Sequence, residues 1–246
     1  MPAAPSLPPG LSSPTRHEPA LHAPTLHEPA LHEIAGSGPE SEHGAGAALF
    51  VCTQLARTGP APILWVLGER DLYPPALAAA GLHPDRVIYA EARQPIAVLA
   101  TLEEALRHTG LAGVVGEFCG RLSLTASRRL QLAAERAGLP CLLLRRSRRF
   151  DDPLLAEPCA AATRWRVSAL PSPPPLPGRP DVPGLGGRRW RLALIRRRGG
   201  MPGAWIMQDA INKESGEGQD APCGLSVPAI LADRPAAPPH PRHLAA

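Results

Sequence analysis

The stretch Gly36-Ser37-Gly38-Pro39-Glu40-Ser41-Glu42-His43-Gly44-Ala45-Gly46 crowds glycines between a strand-like run, LHEIAG, and an apolar helical one, AALFVCTQLAR. A glycine-rich turn that opens a helix can bind an anion. The first helical N–H groups lack partners within the helix, and the helix dipole favours negative charge there. Gly36, Gly38, Glu40, Ser41, Gly44 and Gly46 therefore make a candidate phosphate loop. Phosphoryl transfer needs more: an ammonium against the terminal phosphates and a hydroxyl for Mg²⁺. Neither follows Gly46, where Ala47 and Ala48 stand, and the one lysine of the chain, Lys213, lies beyond the core in a polar tail.

Every other fixed positive charge is arginine. Arg145, Arg146, Arg148 and Arg149 end the apolar run CLLL, at the carboxyl edge where open α/β sheets bind ligands. A DNA backbone, an acidic protein partner and plain solvent each suit such a cluster. Phe150 is the only aromatic beside it, so base stacking is not expected. Arg128, Arg129 and Arg136 in LTASRRLQLAAERAG read as a solvated helix face, with Leu130, Leu132 and Ala133 turned inward.

A five-residue repeat places His17, His22, His27 and His32 at equal intervals. That spacing matches neither an i,i+4 helical pair nor a finger motif, and proline in the first three units blocks a helix, so no metal site is expected. The five cysteines are scattered without C-x-x-C spacing, and Cys52, Cys119 and Cys141 sit in apolar runs as small hydrophobes. A reducing cytoplasm fits this usage.

Net charge is +4, and in a chain rich in arginine, alanine and proline this is a weak argument for nucleic acid. The N-terminus has no secretory pattern and no 18-residue apolar stretch exists, so no membrane is expected. The 32 prolines gather in residues 1–30, around 170–187 and in the last 25 residues. The expected organisation is a disordered His/Pro repeat over 1–30, one domain over 31–208 with a proline-rich linker inside it, and a disordered tail over 209–246. Aromatic content is only 4%, so aliphatic side chains should fill the core.

Between the tails, strand and helix alternate. Strands are expected at 31–36, 62–68, 86–92, 111–118, 140–146 and 163–170, and helices at 47–57, 72–81, 95–110 and 124–138. RRWRLALIRRRGGMPGAWIMQ should form two strands joined through Gly199-Gly200. The fold class is α/β, a mostly parallel sheet flanked by helices and ending in an antiparallel hairpin.

This order of elements, with LHEIAGSGPES, WVLGERDLYPPALAAAGLHPDRVIYAEA, AGVVGEF and RWRLALIRRRGGMPGAWI, resembles the ATPase core of the RecA recombinase. LTASRRLQLAAERAGLPCLLLR and TRWRV bring it closer to the ImuA family, RecA-like proteins of bacterial error-prone repair cassettes. The resemblance covers about residues 31–208. It implies a non-catalytic adaptor in damage-induced (SOS) mutagenic translesion synthesis, nucleoid-associated after damage. Such an adaptor works beside an ImuB-like polymerase scaffold and an error-prone polymerase; a RecA filament and DNA are further candidate partners.

The resemblance also implies a degenerate nucleotide site with no cofactor and no hydrolysis. The RecA loop reads GPESSGKT; Gly38-Pro39-Glu40-Ser41 are kept here, length is added, and the lysine and threonine are lost. The Walker B acid falls at Gly116, with Glu117 next. The water-orienting glutamate falls at Glu69, whose plainer reading is an acid near the start of a helix. Two RecA lysines that reach the neighbouring subunit's nucleotide become Arg196 and Arg198, which share a strand face at period two. The competing classes are a cell-division inhibitor of the SulA type, a weak ATPase and a DNA-binding protein.

Overall fold

A computed structural model describes residues 26–38, 40–147, 149, 152–176, 178–179, 181–209 and 225–226. The elements in chain order are β1 (Leu31–Gly36), α1 (Glu40–Leu55), β2 (Ile63–Leu67), α2 (Pro74–Ala79), β3 (Val87–Glu91), α3 (Pro95–Ala105), β4 (Gly113–Cys119), α4 (Leu124–Ala137), β5 (Cys141–Arg146), β6 (Thr163–Leu170), β7 (Arg189–Arg197), β8 (Gly203–Asp209) and β9 (Leu225–Ser226). They form one sheet in the order β3-β2-β4-β5-β1-β6-β7-β8-β9. Pairing is parallel from β3 through β6 and antiparallel from β6 to β9. The α/β class and the antiparallel finish follow the expectation.

Side chains alternate across the strands and so divide the core in two. Ile34, Trp65, Val115, Leu142 and Leu144 join Phe50, Val51 and Leu55 of α1 on one face. Leu31, Val114, Phe118 and Leu143 join Val98 and Leu102 of α3 and Leu130 and Ala134 of α4 on the other. The second half is mainly aliphatic, as the composition predicts. The first is not: Trp165 packs 5.3 Å from Phe50 and 5.6 Å from Trp205 between ring centroids. Trp65 and Trp190 are buried in the same half. All four tryptophans of the chain lie on the α1 face.

Helices α2 and α3 are shorter than expected, α3 ending at Ala105 rather than 110, and three further boundaries differ from the sequence expectation. The first is α1, which begins at Glu40, seven residues early, so only Ser37, Gly38 and Pro39 separate it from β1. Two interior glycines each cost a helix about 1 kcal/mol relative to alanine, which is why the pattern reads as a loop. Burial of Phe50, Val51 and Leu55 offsets that cost, and Gly46 is needed for packing. A Cβ there would lie 2.5 Å from Trp190 Cδ1.

The second is the histidine repeat. Leu26 is buried, and its N–H donates to Gln54 Oε1. His27 Nε2 donates to the Gln54 carbonyl. His32 is buried within β1, where Trp165 Nε1 donates to Thr163 Oγ1, Thr163 pairs with His32 Nδ1, and His32 Nε2 donates to the Glu28 carbonyl. Burial holds the His32 imidazole below its ordinary pKa, in keeping with a neutral ring. The packed region thus reaches back to Leu26 rather than starting at 31. His17 and His22 lie outside the described residues. The third is β9, two residues that pair with β8 inside the stretch expected to be a structureless tail.

Candidate functional site

The carboxyl edge of the parallel strands carries most of the predicted site. Gly36 is the last residue of β1, and Ser37 N–H donates to the Val167 carbonyl. Gly38 follows in the turn, while Glu40, Ser41, Gly44 and Gly46 all lie in α1. The expected long glycine loop is therefore a correction: it is a three-residue turn and two helical turns. The space bounded by Gly36, Gly38, Gly44, Leu144, Arg145 and Ser147 is about 10 Å³, room for one water at most.

A larger cavity, about 650 Å³, opens beside it between α1, the β2–α2 loop, α2 and β7. Its lining is largely apolar (Ala48, Leu49, Cys52, Leu77, Leu144, Trp190), and Glu69, Asp71, Glu117, Arg146 and Arg188 complete it. Glu117 is buried at the carboxyl end of β4. Its Oε1 accepts from Trp65 Nε1 at 3.0 Å and its Oε2 from Arg146 Nη1 at 2.6 Å. Arg146 also forks onto both oxygens of Asp71. Burial pushes the Glu117 carboxyl up, opposed by the Arg146 charge; hydrogen bonding to Arg146 holds Asp71 down. Burial also pushes the Cys52 thiol up to about 12, which leaves it inert.

Geometry separates the two adjacent positions predicted for the metal-holding acid. Gly116 faces α3, and a Cβ there would come within 2.5 Å of Leu102 Cδ1. Glu117 faces α1 and the cavity. Glu69 is exposed beside the same cavity, in the loop after β2. Glu69 and Glu117 thus line one cavity, with Gly44 at its border, while Gly116 is turned away.

The arginines expected to form an outward basic loop divide. Arg145 is buried: Nη1 donates to Glu33 Oε1 at 2.9 Å and Nη2 to the Gly120 carbonyl at 2.6 Å, with the guanidinium 5.3 Å over the Phe118 ring. Arg146 is tied to Glu117 and Asp71. Neither projects outward, which corrects the expectation for both. Arg149 is exposed, and Arg148 lies outside the described residues.

Glu33, fully buried in β1, was not foreseen. Its Oε2 accepts from Arg164 Nε at 2.8 Å and from the Cys159 thiol at 2.9 Å. Burial pushes that thiol up, and the Glu33 charge adds to the shift. The reason for the network lies in the β5–β6 crossover, residues 147–162, whose described residues form only a short 3₁₀ turn at Pro153–Leu155. Without an α-helix its buried carbonyls need other donors. Arg166 donates to the Leu155 carbonyl, Arg164 to Glu157 and Arg196 to Cys159. A charged residue in the middle of a core strand, Glu33 in LHEIAG, with oppositely charged Arg145 and Arg164 on both neighbouring strands, is the sequence signal that could have revealed it.

Arg196 and Arg198 lie at the opposite, amino edge of the parallel strands, since β7 runs back towards Thr163. The pairing slips between Arg164 and Trp165, where Ile195 is the extra residue. That bulge sets Arg196 beside Arg164, while Arg198 Nη2 reaches Glu135 of α4 at 3.0 Å. Arg197, between them, pairs with Glu28. Both guanidiniums are thus engaged within the chain, Arg196 on the Cys159 carbonyl and Arg198 on Glu135. Among the described residues no cluster of His, Cys, Asp and Glu could hold a metal, and no helix is long and apolar enough to cross a membrane.

Fold and site define an α/β protein with an open, mostly parallel sheet, whose first strand–helix turn closes on itself beside a cavity with a largely apolar lining completed by charged residues. No family model matches the chain. Protein ImuA from two Caulobacter vibrioides strains (NA1000 / CB15N and ATCC 19089 / CIP 103742 / CB 15) is 43% identical to it over 195 residues, 76% of either chain. The chain belongs to the ImuA family. Among solved structures, SulA from Pseudomonas aeruginosa superposes with a TM-score of 0.42 and 25% identity over 48% of this chain and 98% of that one.

Proposed function

We propose that the chain is a non-catalytic adaptor of damage-induced (SOS) mutagenic translesion synthesis. It acts by contacts with an ImuB-type polymerase scaffold and, through Arg196 and Arg198, with a RecA filament. Membership of the ImuA family supports the pathway, and one observation supports the non-catalytic role: the space of about 10 Å³ where a phosphate loop would hold its anion. Three carboxylates against two guanidiniums lining the larger cavity add a charge balance that opposes a triphosphate. The chain has no lysine in this region to reverse it.

Head-to-tail assemblies need one surface at each end of the subunit. Arg196 and Arg198 sit at the edge opposite the filled turn, so they can address a neighbour while the chain offers no nucleotide of its own. It then caps a filament on one side. Co-purification with an ImuB-type partner and ATP-dependent association with RecA filaments test the reading. Arg196→Ala with Arg198→Ala should weaken the RecA contact about tenfold or more and spare the ImuB one. Wild-type binding by a folded double variant, or no RecA contact at all, removes the cap; loss of the ImuB contact from the wild type removes the adaptor.

A further inference from the structure

Among the described residues, the buried apolar side chains of the antiparallel wing lie on one face of the sheet. Trp165 and Val167 of β6, Trp190, Leu192 and Leu194 of β7, and Trp205 and Met207 of β8 all turn to the α1 side. Alternation sends their neighbours to the other face. There Arg191 is exposed, and Arg189, Ala193, Ser168, Ala204 and Ile206 are partly exposed. Ser168, Arg191 and Ile206 stand in register across the three strands, and so do Arg166, Ala193 and Ala204.

The chemistry of this face is one-sided. β6, β7 and the described side chains of β8 contribute no carboxylate. Arg189 and Arg191 take part in no ion pair among the described residues, and Arg189 Nε is buried with no hydrogen-bond acceptor. Two residues apart on one strand, the two arginines share a face, with their Cα atoms about 7 Å apart. The neighbours in register are uncharged, Leu170 and Gln208 beside Arg189 and Ser168 and Ile206 beside Arg191, so nothing beside the two cations on these strands neutralises them. The tryptophans face inward, which leaves no platform for base stacking.

We propose that this open face of the β6–β7–β8 wing, centred on Arg189 and Arg191, binds the phosphate backbone of nucleic acid without reading its sequence. A surface of fixed cations, without acids and without aromatics, matches a regular line of phosphates. It offers nothing to distinguish one base from another. The site is separate from Arg145 and Arg146, whose charge is spent inside the fold, and from Arg196 and Arg198 at the amino edge. It stands whether or not the adaptor reading holds.

The test uses the full chain and mixed-sequence oligonucleotides, single-stranded and duplex, with fluorescence anisotropy across a salt series. The wild type should bind with log K falling linearly against log salt. Arg189→Glu with Arg191→Glu should lose about tenfold or more in affinity, and the slope should shrink by about 1.4–1.8, the share of two phosphate contacts. Arg189→Lys with Arg191→Lys should keep most of the affinity, because only point charge is used. Arg57→Glu with Arg93→Glu, which matches the charge change on exposed residues elsewhere, should bind as the wild type does. Thermal melting of each variant separates misfolding from lost contact. The proposal is overturned if the folded Glu variant keeps the wild-type slope, if both charge reversals weaken binding equally, or if poly-glutamate binds as tightly and displaces the oligonucleotide. The last outcome would make the face a dock for an acidic protein.

Discussion

Arg146 does at the residue scale what a lysine or a metal does in a working phosphate site: it neutralises buried acid. Glu117 is almost wholly enclosed; burial pushes its carboxyl up, and one guanidinium and one indole N–H oppose that shift. Removing one partner of a buried pair costs far more than the pair contributes in net stability, because the remaining charge has no water to turn to. Arg146→Met should therefore destabilise the fold by about 3 kcal/mol at neutral pH. The sign of its pH dependence follows from the two carboxyls. Without Arg146 the raised Glu117 pKa climbs further, so the folded variant holds a proton that the unfolded chain releases, and stability falls as pH rises. Asp71 loses the contact that holds it down, and with it stability present above its unfolded pKa. The Asp71 loss is already complete at pH 5, so the Glu117 effect alone makes the loss larger at pH 7 than at pH 5. Urea denaturation at the two pH values checks it, and an equal loss would show that Glu117 is not the responsive group.

Among the elements, α1 is the clearest case of packing overriding local preference. A glycine-rich start should fray, yet Gly46 lets the helix approach β7 closely enough for the Trp190 ring to lie against its backbone. Gly46→Ala raises intrinsic helix propensity by about 1 kcal/mol. It also places a methyl inside a filled contact, and such overpacking costs about 1–3 kcal/mol. The expected outcome is a net loss of stability, read by thermal denaturation. A rise in melting temperature would mean that Trp190 moves freely and that α1 is not seated as described. The β5–β6 crossover makes the complementary point: arginine side chains on β6 and β7 supply hydrogen bonds that an α-helix would have made within itself.

For the whole molecule, the sheet separates three chemistries. The carboxyl edge has a filled turn and a cavity, the amino edge has Arg196 and Arg198, and the outer wing has a bare cationic face. Calorimetry with Mg-ATP up to about 1 mM, the weak end of ordinary ligand affinity, should give no binding heat, and no phosphate should be released on prolonged incubation. Saturable binding would mean that the β1–α1 turn opens, and the non-catalytic reading would fall with it.

Sequence by itself determined the alternation of strands and helices, the parallel sheet with its antiparallel finish, and the absence of a lysine where a phosphate loop needs one. These are local properties: periodicity, turn residues and residue identity survive without knowledge of what packs where. It also suggested that Arg196 and Arg198 share a face, without showing the bulge at Ile195 that sets Arg196 opposite Arg164. Only the tertiary structure decided which arginines are available. Arg145 and Arg146 are adjacent in a run that reads as an exposed basic cluster, yet buried Glu33 and Glu117, from two other strands, take up their charge. Tertiary structure likewise turned Gly44 and Gly46 from loop into helix and Leu26 from tail into core. In each case the deciding partner lies 28 or more residues away in sequence: Trp190 for Gly46, Gln54 for Leu26, Glu33 for Arg145, Glu117 for Arg146. A pattern within one segment carries no information about a partner that folding alone brings into contact.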